Sequence, residues 1–257
     1  MGQKVRKSAC QHIRCQKSGE AMAKSVIFES SSAVMVQVAA LLQKYPGLQI
    51  ASETSNEIVI TGRIQIARIF NDFPIVKNVQ LEITIPIAQD RFPYVKDIGG
   101  HIDTKYPHRY LSGRLCLATE IDLRLHFIDG FDLLRWMDDF VEPYYYSHDY
   151  YQRFDCYPFG DRQHGYLGAI QSYCDWFSTS KMDTVASILL QIEANDHYHG
   201  HHLCFCGSGK KMRDCHGQKI LFFYQHPQLR NQLISDLNNL RKELQEFDHE
   251  RNCSSPK

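Results

Sequence analysis

Apolar residues change their spacing several times along the chain, and each change predicts an element. Over 31–44, Val34, Val38, Leu41 and Leu42 recur on one helical face. Ser30 to Ser32 offer a cap, and Tyr45-Pro46-Gly47 stops the run. The period then falls to two. "EIVITGRIQIARIF" (57–70) alternates through Ile58, Ile60, Ile64 and Ile66 around Gly62, and "VQLEITIPI" (79–87) through Val79, Leu81, Ile83 and Ile85. Consecutive strands with short polar links predict an antiparallel meander. "RFPYVKDIGG" (91–100), with Pro93 and a glycine pair, predicts a turn. Helical spacing returns at 129–142 (Phe131, Leu134, Met137, Val141), with Pro143 just past its end, and at 180–196 (Val185, Ile188, Leu189, Ile192). The aromatic stretch 144–160 reads as irregular and the histidine-rich 197–202 as a linker. Pro227 opens a last helix whose Leu229, Leu233, Leu237, Leu240, Leu244 and Phe247 form a seam, for this domain or for a partner helix. The fold class expected is α+β, an antiparallel meander sheet flanked by helices.

Composition narrows this picture only in part. The 257 residues suffice for one good-sized core with small appendages. Lys+Arg and Asp+Glu both number 29, so no global charge directs the chain to DNA or to a membrane surface. No apolar stretch approaches the roughly 20 residues a spanning helix needs. Residues 1–25 form a basic tail, and the apolar run after it is broken by Glu29, Ser30, Ser31 and Ser32, unlike a signal peptide. Nine cysteines without an export signal predict reduced thiols, metal ligands or a nucleophile, and a cytoplasmic protein. Cys10, His12 and Cys15 in the tail are too loosely spaced, with no fourth ligand near, to make a convincing metal site.

The strongest local chemistry is "CFCGSGKKMRDCHG" (204–217). Cys204, Cys206, Cys215 and His216 supply three thiols and an imidazole, the donor set of a closed tetrahedral Zn2+ site. Gly207 and Gly209 let the loop double back. The stretch resembles the SEC-C motif, the C-terminal zinc element of the preprotein translocase motor subunit SecA. It matches from Cys-x-Cys-Gly-Ser-Gly-Lys-Lys to Cys-His-Gly. The resemblance implies a small appended module that recruits a partner. Lys210, Lys211 and Arg213 suit an acidic protein or a ribosomal RNA surface, or simply solvate the loop.

A second stretch, "YPHRYLSGRLCLATE" (106–120), carries the candidate nucleophile. Taken alone, Cys116 between Leu115 and Leu117 has the character of a small buried residue. Its setting is different. A helix, a meander, "LEITIP" followed by "FP", then Tyr106-Pro107-His108, Gly113 and Cys116-Leu117, then helices: this order over about 31–145 resembles the ubiquitin-conjugating enzymes. It is nearest to their divergent prokaryotic relatives. Tyr106-Pro107-His108 stands where that family has His-Pro-Asn, with the same spacing to the cysteine. The resemblance implies that Cys116 forms a thioester with a ubiquitin-like modifier delivered by its activating enzyme. An amine then attacks, with His108 in the place of the asparagine that meets the oxyanion. No tryptophan matches the family's after Cys116. Arg114 and His108 are the nearby groups that could favour a thiolate. Asp122, His126 and His164 are candidates to deprotonate the amine, His164 because it sits in the glycine-flanked "GDRQHGYLG".

The expected organisation is a tail (1–25), a ubiquitin-conjugating-like domain with a helical, aromatic extension (26–180), a helix and linker (181–202), the zinc module (203–218) and a terminal amphipathic helix (219–257). The expected function is a carrier or ligase of a ubiquitin-like modifier, with Cys116, His108 and His164 at the catalytic site. The alternatives are a thiol hydrolase of modifier conjugates and a non-catalytic zinc-binding adaptor.

Overall fold

The structure, a computed structural model, describes residues 27–253 except 29, 30 and 71, with side chains described through 246. The basic tail with Cys10, His12 and Cys15, and the side chain of Phe247, lie outside the described residues.

Helix α1 spans Ser31–Lys44 and buries Val34, Val38 and Leu41, the face its spacing predicts. Four strands follow: β1 (Leu48–Glu53), β2 (Glu57–Phe70), β3 (Phe73–Pro86) and β4 (Tyr94–Asp97). They form one antiparallel sheet in the order β1-β2-β3-β4. The long β2–β3 ladder runs unbroken from Glu57↔Pro86 to Phe70↔Phe73. Ile58, Ile60, Ile64 and Ile66 face the core as the alternation requires. Gly62 breaks that row for a steric reason: at φ +153° a Cβ there would strike the carbonyl of Gly47 where β1 joins the sheet.

Two strands carry no alternation strong enough to predict them. β1 is an edge strand, largely exposed, with a register shift between Ile50 and Ser52. β4 is four residues long and lies inside the stretch expected to turn. Its Val95 is fully buried and pairs with Ile83. β3 also starts six residues before the predicted run, because among its first residues only Ile75 is buried.

The predicted helix over 129–142 differs more. α3 covers Leu133–Trp136, capped by the Asp132 carboxylate, which accepts from Arg135 N at 2.7 Å. A single π turn follows at Met137–Val141, and α4 then runs Glu142–Phe154. Pro143 therefore does not end the helix. It sits in the first turn of α4, where a missing N–H costs little, immediately after the wide π turn. The stretch expected to be irregular is thus helical to Phe154. Burial of Tyr144, Tyr145 and Tyr146 holds it there. The Tyr146 hydroxyl donates to the carbonyls of Phe70 and Phe73, pinning the β2–β3 turn (3.1 and 2.9 Å).

Side chains divide into two hydrophobic clusters. The first joins α1, the sheet, α3 and α4 around Trp136 and Met137. The second joins α5 (Gly165–Phe177), α6 (Met182–Ala194), α7 (Gly217–Gln225) and the first half of α8 (Pro227–Cys253). Helix α2 (Glu120–His126) lies between them: Leu123 belongs to the first cluster and Ile121 to the second. Buried Arg124 ties the layers, donating to Asp90 (2.8 Å), Glu120 (3.0 Å) and Gln232 of α8 (3.2 Å). The α8 seam splits accordingly. Leu229, Leu233 and Leu237 are buried in the second cluster, whereas Leu244 is exposed. None of the described helices is long and apolar enough to cross a membrane.

Candidate functional site

The Cys116 site is made by a small hairpin. After β4 the chain loops out and returns so that Arg109 pairs with Leu115 and Lys96 with Arg114. The Cys116 amide donates to the His108 carbonyl at 2.8 Å. The eight-residue spacing between His108 and Cys116 is therefore a cross-strand pairing across a tight turn. Gly113 closes that turn at φ +83°, a conformation glycine adopts without penalty, and its N–H donates to the Tyr110 carbonyl (2.9 Å). Tyr144 of α4 donates its hydroxyl to the same His108 carbonyl at 2.8 Å, so the first core fixes the hairpin.

His164 arrives from a distant segment. It precedes α5, and the left-handed Gly165 (φ +60°) follows it. Its ring lies 4.3 Å from that of His108, centroid to centroid. One donor atom from each of His108, Cys116 and His164 falls within 4.8 Å of the others. Asp161 Oδ1 stands 3.4 Å from His108 Nε2, and the Tyr110 hydroxyl donates to Cys116 Sγ at 3.4 Å.

Electrostatics favour a protonated thiol at Cys116 beside a neutral imidazole at His108. Burial pushes the Cys116 thiol above its ordinary range, and the Tyr110 hydrogen bond only partly offsets that. Burial lowers His108, the neighbouring His164 lowers it further, and Asp161 works in the opposite direction. Cys116 is half-buried and lines two clefts. One, of about 480 Å3, runs between Tyr94, Arg114 and the Lys242–Glu243 stretch of α8. The other, of about 510 Å3, is walled by Tyr144, Tyr157 and Phe159 and is the more apolar.

The remaining candidates are placed less centrally. Arg114 stacks 4.0 Å over the Tyr94 ring, in the first cleft. Asp122 lines the second cleft, accepts from Ser172 (2.9 Å) and pairs with Arg162 (3.4 Å). His126 is engaged by Asp139 at 2.8 Å and packs on Phe127 and Phe140, outside the Cys116 cluster. Tyr110 and Asp161 were not anticipated. The only signal for Asp161 is its position three residues before His164 in a glycine-bounded loop.

The second constellation packs on the second core. Leu203 and Lys211 bridge, and Cys204 N donates to the Lys210 carbonyl at 2.8 Å, so the loop is a tight hairpin. Gly207 and Gly209 both take φ +72° at its tip. This brings together Cys204 Sγ and His216 Nδ1 (3.4 Å), Cys206 Sγ and Cys215 Sγ (3.5 Å), and Cys215 Sγ and His216 Nδ1 (3.2 Å). The four residues could hold a metal ion. Buried Met212 and the His216 ring against Phe177 anchor the knob to the second core. The 197–202 segment is part of the knob's frame: Met212 N donates to His202 O (2.8 Å) and Arg213 N to Gly200 O (3.0 Å). Burial opposes ionisation of Cys206, but Ser208 and the neighbouring thiols outweigh it and bring that thiol down to about 6. Burial raises Cys204 to about 11 against the backbone N–H groups of Cys206 and His216, which favour its thiolate, with the neighbouring thiols adding to the rise.

Comparison with protein families, with curated proteins and with solved structures gives no match. The functional reading therefore rests on this geometry.

Proposed function

We propose that the chain is a cysteine-dependent acyl carrier or ligase for a ubiquitin-like modifier, built on a ubiquitin-conjugating-like fold, with a zinc knob that recruits a partner. The observation that carries the reading is the meeting within 4.8 Å of Cys116 and His108, on a hairpin that follows a four-stranded meander, with His164 from the loop before α5. A helix and an antiparallel meander ahead of Cys116 support this reading.

In this reading the modifier's C-terminus arrives as a thioester on its activating enzyme. His164 takes the Cys116 proton as the sulfur attacks. The new S–C bond forms at Cys116, the old one breaks, and the departing thiol is protonated. A lysine amine then attacks the Cys116 thioester. A neutral His108 turns its single N–H from Asp161 to the oxyanion, and Asp122 in the apolar cleft receives the ammonium proton. The amide forms and the Cys116 thiol is restored. The raised thiol pKa makes the base necessary, since little thiolate stands ready at neutral pH.

Zinc suits the knob by donor chemistry. Three of the six donor pairs stand 3.2–3.5 Å apart and all four donors lie within 4.8 Å, near the edges, about 3.5–3.8 Å, of a tetrahedron with the usual Zn–S and Zn–N bonds. Cys204, Cys206, Cys215 and His216 would hold the ion with no open position, so its contribution is structural. Exposed Lys210, Lys211 and Arg213 then present a basic face to an acidic protein or ribosomal RNA partner.

Asp161 beside His108 also favours a second reading, a hydrolase in which a carboxylate-oriented imidazole activates Cys116. Incubation with a modifier and its activating enzyme, read on a non-reducing gel, separates the two. A thiol-labile adduct absent in Cys116→Ser supports the carrier. Cleavage of a preformed conjugate without activating enzyme supports the hydrolase. Neither activity, with biological function intact in Cys116→Ala, leaves an adaptor.

A further inference from the structure

The cluster that positions Cys116 also has the composition of a second metal site, different in kind from the knob. We infer that His108, Cys116 and His164 reversibly bind a divalent transition ion, Zn2+ by donor preference, and that the bound ion masks the nucleophile. The binding site stands on geometry alone; its inhibitory consequence rests on the acyl-transfer reading.

Two imidazoles and a thiol are borderline and soft donors, the set that selects zinc over magnesium or calcium. Their donor atoms lie within 4.8 Å of one another, against tetrahedral edges of about 3.3–3.6 Å for such ligands. Closing that gap needs about an ångström, and the exposed member, His164, is the one free to move. Its residue makes no side-chain cap to α5, and Gly165 follows it. His108 and Cys116 are held rigidly across the hairpin, so two of the three ligands are preorganised. Asp161, 3.4 Å from His108 Nε2, adds the negative charge a dication favours. The fourth position faces the clefts, so a water or a substrate carboxylate completes the shell. Three protein ligands and one open position contrast with the closed set of the knob.

Binding replaces the thiol proton, which leaves to solvent, with the ion. A sulfur that donates a lone pair to zinc is a weaker nucleophile than the free thiolate and shares its open side with the ion, so metal and modifier compete for Cys116. Free zinc thus holds the carrier in a protected state, and a chelator or a competing zinc protein releases it.

Metal-depleted full-length protein titrated with Co2+ provides the test, followed by the thiolate-to-cobalt absorption and by the endpoint. His164→Ala, an exposed substitution, leaves the knob and the histidines of 197–202 unchanged, so the difference between the two proteins isolates this site. His164→Ala is expected to take up one equivalent fewer than wild type. Zn2+ is expected to slow iodoacetamide labelling of Cys116 at least ~tenfold in wild type and not in His164→Ala. Equal uptake by both proteins, or labelling of wild-type Cys116 unaffected by Zn2+, overturns the site. A chain that never loads a modifier yet loses one equivalent in His164→Ala refutes acyl transfer and keeps the metal site. One that loads modifier but shows equal uptake does the reverse.

Discussion

The two cysteine–histidine clusters of this protein each bring their donors within 4.8 Å but are assembled in opposite ways. The knob draws all four donors from one hairpin, Cys204 to His216, with its own glycines to turn it. The Cys116 cluster draws from a hairpin and from a loop nearly fifty residues further on, and it exists only because both hydrophobic cores are folded. Their thiols differ to match. Burial holds Cys116 protonated, whereas neighbouring donors in the knob already favour one thiolate at Cys206. A locally encoded, charge-ready cluster suits permanent metal binding. A fold-assembled, neutral cluster with an open side suits a reaction.

The comparison is broken most severely by removing a knob ligand. Cys204→Ser should abolish metal binding at the knob and destabilise the second core by on the order of 5 kcal/mol, since Met212 and His216 pack into it. Metal analysis and thermal unfolding measure this. Acyl loading of Cys116 should fall less than ~tenfold. A complete loss of loading would mean that the two clusters act as one unit.

A smaller effect separates their chemistry by pH. In the metal-depleted protein at pH 7, Cys206 should react with iodoacetamide ~tenfold faster than Cys116, by peptide mass mapping. The labelling rate of Cys116 should keep rising above the ordinary thiol range. The sign follows from burial: the native state favours the protonated thiol. Its contribution to stability is present below the unfolded thiol's pKa and is lost as pH rises through the folded one. His108 behaves oppositely. Burial lowers it, so the contribution from keeping it neutral is lost as pH falls below the ordinary histidine range.

The smallest perturbation sharpens the comparison. Tyr144→Phe removes the hydroxyl that donates to the His108 carbonyl. It should cost about 1 kcal/mol by chemical denaturation and slow acyl transfer several-fold. Knob metal content should not change.

Legibility in the sequence follows the same division. Helix α1, the β2–β3 ladder, α6 and the start of α8 each carry a periodic apolar face and were readable, as was the four-donor loop. β1 and β4 were not: one is exposed on an edge and the other is four residues long, too short to alternate visibly. The passage through Pro143 was misread because a π turn before it removes the proline's usual penalty. At the Cys116 site, His108 and the cysteine were legible through their spacing, which a hairpin explains. His164 was legible only as a histidine in a glycine-flanked loop, and its approach to His108 is set by α5 packing. Tyr110 and Asp161 are ordinary residues until the fold places them, so no local pattern marks them.

The most direct measurement is the location of the acyl group itself. After loading with a modifier and its activating enzyme, peptide mass mapping without reductant should find a thiol-labile adduct on Cys116, strongly reduced in His164→Ala. An adduct on another cysteine, or undiminished loading of Cys116→Ala, would contradict the account.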